Sequence, residues 1–318
     1  AATIFWLFVG GIFSGITGAS ITTASAYIAD ISDDSNRSKN FGMIGAAFGL
    51  GFIIGPVIGG LLGQFGSRVP FYAAAVLCLV NFAYGYFILP ESLGKEHRRP
   101  FEWKRANPVG SLLKVRTHPE ILKLFIAWFL VYLASHAVQT NWAYFTMYKF
   151  AWDEKTVGIS LGVMGAFTAF VQGFLIRKVH PKLGSERSIL YGIMFYCTGM
   201  LLFAFAQKEW MMYAILAIYC LGGIAGPALQ SVISSKVSPK EQGDLQGALT
   251  SVISITSIIG PLLMTQIFYF FTHPDAKIKL LTLELKPPFQ FSGAPFFLGF
   301  TLMAVSAYFV YYVFHRKK

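Results

Sequence analysis

His136, Gln139 and Asn141 sit in one long apolar run and are the residues whose types point first to chemistry. Of the Asp, Glu, Lys, Arg and His side chains, only His136 is placed well inside a run long enough to cross a membrane. An imidazole can titrate near neutral pH, and polar groups at membrane depth mark pathways more often than chance. Gln139 follows at i+3 on the same helical face, and Asn141 lies nearby beside Trp142. Gln172, four residues after Thr168, and Gln230 add amides on two further runs. With Tyr132, Tyr144, Phe145 and Tyr196 these groups would line a cavity for a bulky amphipathic organic molecule. Rings supply stacking area there, and a few polar groups orient the ligand. The same amides would also serve as interhelical hydrogen bonds, worth roughly 0.6 kcal/mol apiece.

Other chemistries find no support. The chain has no G-x-x-x-x-G-K-[ST] phosphate loop, so an ATP-driven pump is not expected. It has no Ser-His-Asp or metal-ligand constellation, so neither an enzyme nor a resident metal or other cofactor is expected. His97, His118, His180, His273 and His315 are scattered at loops and interfaces. Cys78, Cys197 and Cys220 all fall in apolar runs and read as small core hydrophobes rather than a disulfide framework.

The elements that must position these groups follow from composition. Of 318 residues, 55% are hydrophobic and 13% charged, against roughly 25% charged in a soluble domain. The charges cluster between long runs that contain none, so the chain reads as an all-α polytopic bundle in a lipid bilayer. Nine spanning helices are expected, at 4–28, 41–63, 71–89, 121–146, 157–176, 189–206, 210–234, 248–271 and 296–314. Strands are excluded because open sheet edges find no partners in lipid.

Basic residues assign the sides. Nineteen of the 26 Lys and Arg fall on one alternate set of loops and the C-terminus, with eight between Lys95 and Lys123. Only seven lie on the other side, so the C-terminus is expected in the cytoplasm. The net charge of +11 therefore reflects orientation and not nucleic-acid binding, since no basic face interleaved with aromatics is present. The stretch 272–293 is partly alternating and reads as a short hairpin or a surface connector.

The chain also repeats itself. Gly10-Gly11-Ile12 and Gly55-Pro56 have counterparts in Gly222-Gly223-Ile224 and Gly260-Pro261. Both pairs run in the same membrane direction, the signature of a parallel repeat. The expected organisation is three helices ending a first half (1–91), a basic central loop (92–118) and a six-helix second half (119–318). A first span that begins outside, in a chain that opens without Met, is expected where earlier helices lie upstream.

Specific motifs then carry a resemblance. Gly15-Ile16-Thr17-Gly18-Ala19, Ile28-Ala29-Asp30 and Arg37 are followed by Gly51-x-x-x-Gly55-Pro56-x-x-Gly59-Gly60. Downstream come Pro227-Ala228-Leu229-Gln230, Glu241-Gln242-Gly243, Leu245-Gln246-Gly247 and Ile259-Gly260-Pro261-Leu262-Leu263. This pattern resembles the tetracycline-exporter branch of the major facilitator superfamily, drug:proton antiporters of the bacterial inner membrane. The resemblance implies family helices four to twelve of an expected twelve, a small organic substrate, and protons as coupling ion. It also implies that Asp30 and Arg37 belong to a charge network closing a cytoplasmic gate, although a solvated loop pair of little energetic weight would look the same. Gly51, Gly55 and Gly59 form a bare stripe, Gly60 adjoins it, and Pro56 and Pro261 remove helix hydrogen bonds. A hinge or tight seal between halves would use such a stripe, as would plain close packing.

Three positions depart from the branch. Gly11, Thr168 and Tyr196 stand where its members carry an arginine, a histidine and an aspartate. Without that carboxylate a metal-chelated drug lacks a hard oxygen anchor, which points away from tetracycline itself. An alternative reading is a transport-inactive helical subunit, with a partner chain covering the open bundle if nine helices are the whole protein.

Overall fold

In hydrocarbon, backbone groups must be satisfied within the segment, and long charge-free runs fold as helices. The computed structural model describes residues 4–18, 20–33, 35–63, 65–66, 68–94, 119–238, 241–273, 278–280, 283–287 and 289–315. The basic stretch from 95 to 118 and the terminal Arg316, Lys317 and Lys318 lie outside the described residues.

The helices are α1 (Ile4–Ile16), α2 (Ser20–Asp30), α3 (Arg37–Gly63), α4 (Val69–Phe87), α5 (Pro119–Phe150) and α6 (Glu154–Phe170). A π-helical turn, Val171–Leu175, leads into α7 (Ile176–Phe205). Then follow α8 (Glu209–Leu221), a 3-10 turn (Gly222–Ile224), α9 (Ala225–Ser235), α10 (Gln242–Thr272) and α11 (Ala294–His315). Each of the nine expected segments is mostly helical where described. Among the described residues, six stretches are long and apolar enough to cross a membrane. One of them, Thr156–Phe205, runs 50 residues and doubles back at Gly184, where φ is +73°. A glycine suits that left-handed backbone because it has no Cβ to clash.

Three details depart from simple rods. The first expected span is broken near Thr17 and Gly18, while Gly10 and Gly11 continue through α1. The corresponding break in the second repeat is the 3-10 turn at Gly222, 205 residues after Thr17, the same offset that separates Gly55-Pro56 from Gly260-Pro261. The helix after α6 also continues through Pro181 to Gly184, although the basic residues there had suggested a loop. Between α10 and α11 the chain forms an antiparallel hairpin, β1 (Ile278–Leu280) and β2 (Leu283–Leu285), pairing Lys279 with Glu284. This is a small addition to an all-helical bundle.

The core belongs to the α5–α11 group. Trp142, Phe145, Phe203 and Phe296 meet edge-on or tilted, with centroids 4.9 to 5.7 Å apart, joining α5, α7 and α11. Lipid tails are as apolar as these rings, so shape complementarity rather than water exclusion holds the helices together. Glycines supply that closeness: Gly192 and Gly199 of α7 seat against Ala225 and Tyr219, and Gly299 of α11 against Met200 and Ala137. Ser306 donates to the Ala127 carbonyl at 3.0 Å, and Trp142 Nε1 donates to Ser160 Oγ at 2.8 Å. Removing the acceptor with Ser160→Ala, which leaves the Trp142 ring in place, is expected to cost only about 0.6 kcal/mol, the usual worth of such a bond in a membrane. Thermal unfolding in detergent reads this, and a loss several times larger would contradict it.

The first four helices are less enclosed. No described residue of α4 is buried, and α4 packs against α3. Helices α2 and α3 instead dock on the second group, α2 on α10 and α3 on α6, the π turn and α9.

Candidate functional site

Helix α5 begins at a proline, which needs no amide hydrogen in the first turn. It then carries His136 into the bundle, where the residue is only 7% exposed. The imidazole lies over Gly260 of α10, and a Cβ at that glycine would fall on the ring. Pro261 follows directly and cannot donate to the Ser257 carbonyl. The structure thus joins two features read separately from the sequence, the lone intramembrane histidine and the second Gly-Pro pair. Among the described residues His136 has no hydrogen-bond partner.

Its two sequence neighbours go elsewhere. Gln139 is exposed, and its Nε2 donates to Ser135 Oγ at 3.2 Å. Asn141 is fully buried, and neither amide atom has a partner among the described residues. It shares a face with Ala137 and Phe145, which meet Gly299 and Phe296 of α11.

A second cluster surrounds the 3-10 turn. Tyr196 of α7 covers Gly222 and packs on Tyr219 with ring centroids 4.8 Å apart. Gln172, in the π turn, reaches Gly223 from the other side. One turn earlier Thr168 donates to the Met164 carbonyl at 2.8 Å and lies 3.9 Å from Cys220 Sγ. Gln230 is not part of this cluster. Its Nε2 donates to Gln246 Oε1 at 2.9 Å near the start of α10, beside the pair made by Ser234 and Gln242.

The end of the bundle that carries the loops at 31–36 and 236–241 is where the two groups of helices meet. Thr22 donates to Thr250 at 2.9 Å between α2 and α10. Gly42 faces the Gln172 carbonyl and Ile176, Gly45 faces the Gln172 amide, and Gly49 faces Gly165 and Ala169. Beyond Gly49 the helices part: Gly158 and Gly162, on the same face of α6 as Gly165 and Ala169, have nothing within 4 Å, while Gly51 and Gly55 lie on another face of α3 and also meet nothing. Pro56, Gly59 and Gly60 continue α3. The only mark of this close seam in the sequence is the three-and-four spacing of Gly42, Gly45 and Gly49, beside the every-four spacing of Gly51, Gly55 and Gly59.

Asp30 and Arg37 belong to hydrogen-bonded networks at the same end. Asp30 accepts from Ser92 at 2.9 Å, which ties α2 to the chain after α4. Arg37 donates to the Ser32 carbonyl at 3.0 Å, and Asn40 donates to Ser32 Oγ at 2.8 Å. Between them Asp33 accepts from the Ser35 hydroxyl and from the amides of Ser35 and Asn36. Those bonds, the Ser35 hydroxyl first, hold its carboxyl below the ordinary range, so the turn keeps its carboxylate acceptor at neutral pH.

Comparison with known proteins gives a consistent answer. Residues 1–261 match the family described as Major Facilitator Superfamily. The chain is similar to the class C tetracycline resistance protein of Escherichia coli, 39% identical over 266 residues that cover 83% of this chain and 67% of that one. It is also similar to the class B protein of Escherichia coli, 35% identical over 271 residues, 84% of this chain and 67% of the relative. The chain thus spans about two thirds of the length of these relatives. Among solved structures it shares its fold with the human organic anion transporter MFSD10, at a TM-score of 0.78 and 21% identity, over 93% of this chain and 68% of the other. It shares it also with FucP in its outward conformation, at a TM-score of 0.66 and 13% identity, over 92% and 72% of the two chains. From the matched family and these relatives, this helical membrane chain belongs to the major facilitator superfamily, alongside the tetracycline resistance proteins.

Proposed function

We propose that this secondary membrane transporter exports bulky amphipathic organic compounds in exchange for protons, by rocking α1–α4 against α5–α11 in a bacterial inner membrane with the C-terminus in the cytoplasm. The observation that carries the reading is the one-sided seam: the groups touch from Thr22 and Gly42 to Gly49 and part beyond it. A bundle closed at one end and open at the other is what alternating access requires of one of its states. The closed end bears Arg37, Arg177 and Lys236, and basic loops favour the cytoplasm, so the state is outward-open.

His136, Gln172 and Tyr196 are the groups we assign to the substrate. Gln172 lies against Gly45 and Gly223, Tyr196 against Gly222 and His136 against Gly260, and they offer one imidazole, one amide and one phenol. Gln139, Asn141 and Gln230 are assigned supporting roles in the same path. Gly51, Gly55, Pro56, Gly59 and Gly60, with Gly260 and Pro261, provide the surfaces that close or bend when the bundle rocks. Asp30 and Arg37 hold the cytoplasmic gate. No acidic residue accompanies the candidate substrate groups, so a compound that binds without a chelated metal is preferred over one that needs it.

Efflux from proteoliposomes tests this. A fluorescent organic cation and a metal-chelated tetracycline are loaded in turn, and release is followed with and without an imposed pH gradient. The expected result is gradient-dependent release of the first at a rate several-fold above the second. Equal release with and without the gradient would overturn proton coupling, and unchanged release from a His136→Ala, Gln172→Ala double variant would overturn the site.

A further inference from the structure

Of the candidate substrate residues, Gln172 is the one that touches both groups of helices. On one side a methyl at Gly45 of α3 would fall on its amide oxygen. On the other, a methyl at Gly223 would come within 3.2 Å of Nε2 and 3.5 Å of Cγ. Its own carbonyl is covered by Gly42, where a Cβ would stand 2.9 Å away. Both main chain and side chain therefore depend on bare backbone opposite. The amide makes no hydrogen bond to any described residue. The π turn that holds it is a second, independent feature. Ile176 donates to Val171 across five residues, so one extra residue is accommodated exactly where α6 meets the seam. Such bulges are rare and cluster at functional positions.

We infer that Gln172 is a plug between the two groups of helices, a positioning residue that sets how often the basic end of the bundle is closed. The inference rests on the alternating-access reading above. A side chain held by shape, without hydrogen bonds, seals the seam sterically yet leaves at little cost, because its amide gains water or a ligand on withdrawal. A reversible gate needs that combination, since a seam locked by several good hydrogen bonds would not cycle. Gly45 is then kept bare to leave the slot empty, while a methyl at Gly223 would ask the amide to give by only a few tenths of an ångström. The amide meets Gly223, next to the Gly222 that Tyr196 covers, so a ligand that drew it out of the slot would loosen the seam at the same moment.

The test uses the full protein in nanodiscs without substrate, with Cys78, Cys197 and Cys220 replaced by alanine. Spin labels on Ile58 of α3 and Ile159 of α6, both exposed and beyond the seam, report the outer gap by pulsed dipolar spectroscopy. Gly45→Ala is expected to reduce the long-distance, outward-open population about fivefold relative to the other state. Adding Gln172→Ala to the same chain is expected to restore it, because the shortened side chain no longer meets the new methyl. A distribution unchanged by Gly45→Ala, or a shift that Gln172→Ala does not reverse, would overturn the plug. If Gly45→Ala does not accumulate, Gly223→Ala serves instead, with a smaller shift in the same direction expected and no shift overturning the inference. These distances are read without substrate, so they can fail while efflux of organic compounds stands, and efflux can fail while they stand.

Discussion

His136→Ala is expected to lower efflux of an organic substrate about a hundredfold, the low end of what a positioned proton-transferring group contributes, while the amount of protein in the membrane stays near that of the parent. The imidazole is nearly enclosed and has no hydrogen-bond partner among the described residues, so its removal breaks no polar network. It does leave a gap over Gly260, because that ring fills the space where a Cβ would be. A packing role and a transport role therefore predict different behaviour in a second variant. Gly260→Ala alone pushes a methyl into the ring and is expected to cost about 1–3 kcal/mol through overpacking. Combined with His136→Ala, the same methyl partly fills the gap, so melting temperature recovers towards the parent. Efflux should stay low in the double variant if the imidazole itself handles substrate or proton. Restored efflux would reduce His136 to a filler against the Pro261 bend and remove it from the site.

The second large effect concerns assembly. Gly192→Val is expected to prevent accumulation of folded protein, or to lower its melting temperature sharply, because α7 and α9 touch there through backbone. A Cβ at Gly192 would stand 2.7 Å from the Ala225 amide nitrogen and 2.8 Å from its Cβ. Neither atom is the end of a flexible side chain, so a whole helix must shift, at a cost of at least about 1–3 kcal/mol. Gly226, one residue on in α9, supplies the control. Nothing lies within 4 Å of it, so Gly226→Ala should be neutral or slightly stabilising in a helix. The comparison is read by fluorescence-detected size-exclusion chromatography after heating. Matching profiles for the two variants would mean that Gly192 is not a contact that α7 needs. Because α7 carries Tyr196, a shifted α7 would also lift that ring from Gly222, and any surviving transport should fall with it.

Much of this architecture could be read from the chain alone. Positions of the apolar runs determined the helices, because lipid offers backbone groups no partner and a charge-free run of that length has few alternatives to a helix. The motifs around Gly51, Gly260 and Gln230 were enough to indicate the family, and the lone histidine at membrane depth was visible by elimination. The breaks were less legible. Thr17 and Gly18 interrupt a first span that reads as continuous, and a π turn carries no compositional mark because it changes only hydrogen-bond register. Face assignments by spacing also failed to separate Gln139 from His136, since on one helix three residues' rotation decides between an exposed and an enclosed position.

Only tertiary structure decided which polar groups meet. Gln172 lies 127 residues after Gly45 and 51 before Gly223, and His136 is 124 residues from Gly260, so no local pattern relates them. Within one segment, spacing dictates which side chains share a face. Between segments, the meeting point depends on crossing angle and depth, which small residues set by how closely two backbones can approach. The two glycine stripes of α3 show the difference: Gly42, Gly45 and Gly49 lie on the face filled by α6 and the π turn, while Gly51 and Gly55 lie on another face of the helix and meet nothing.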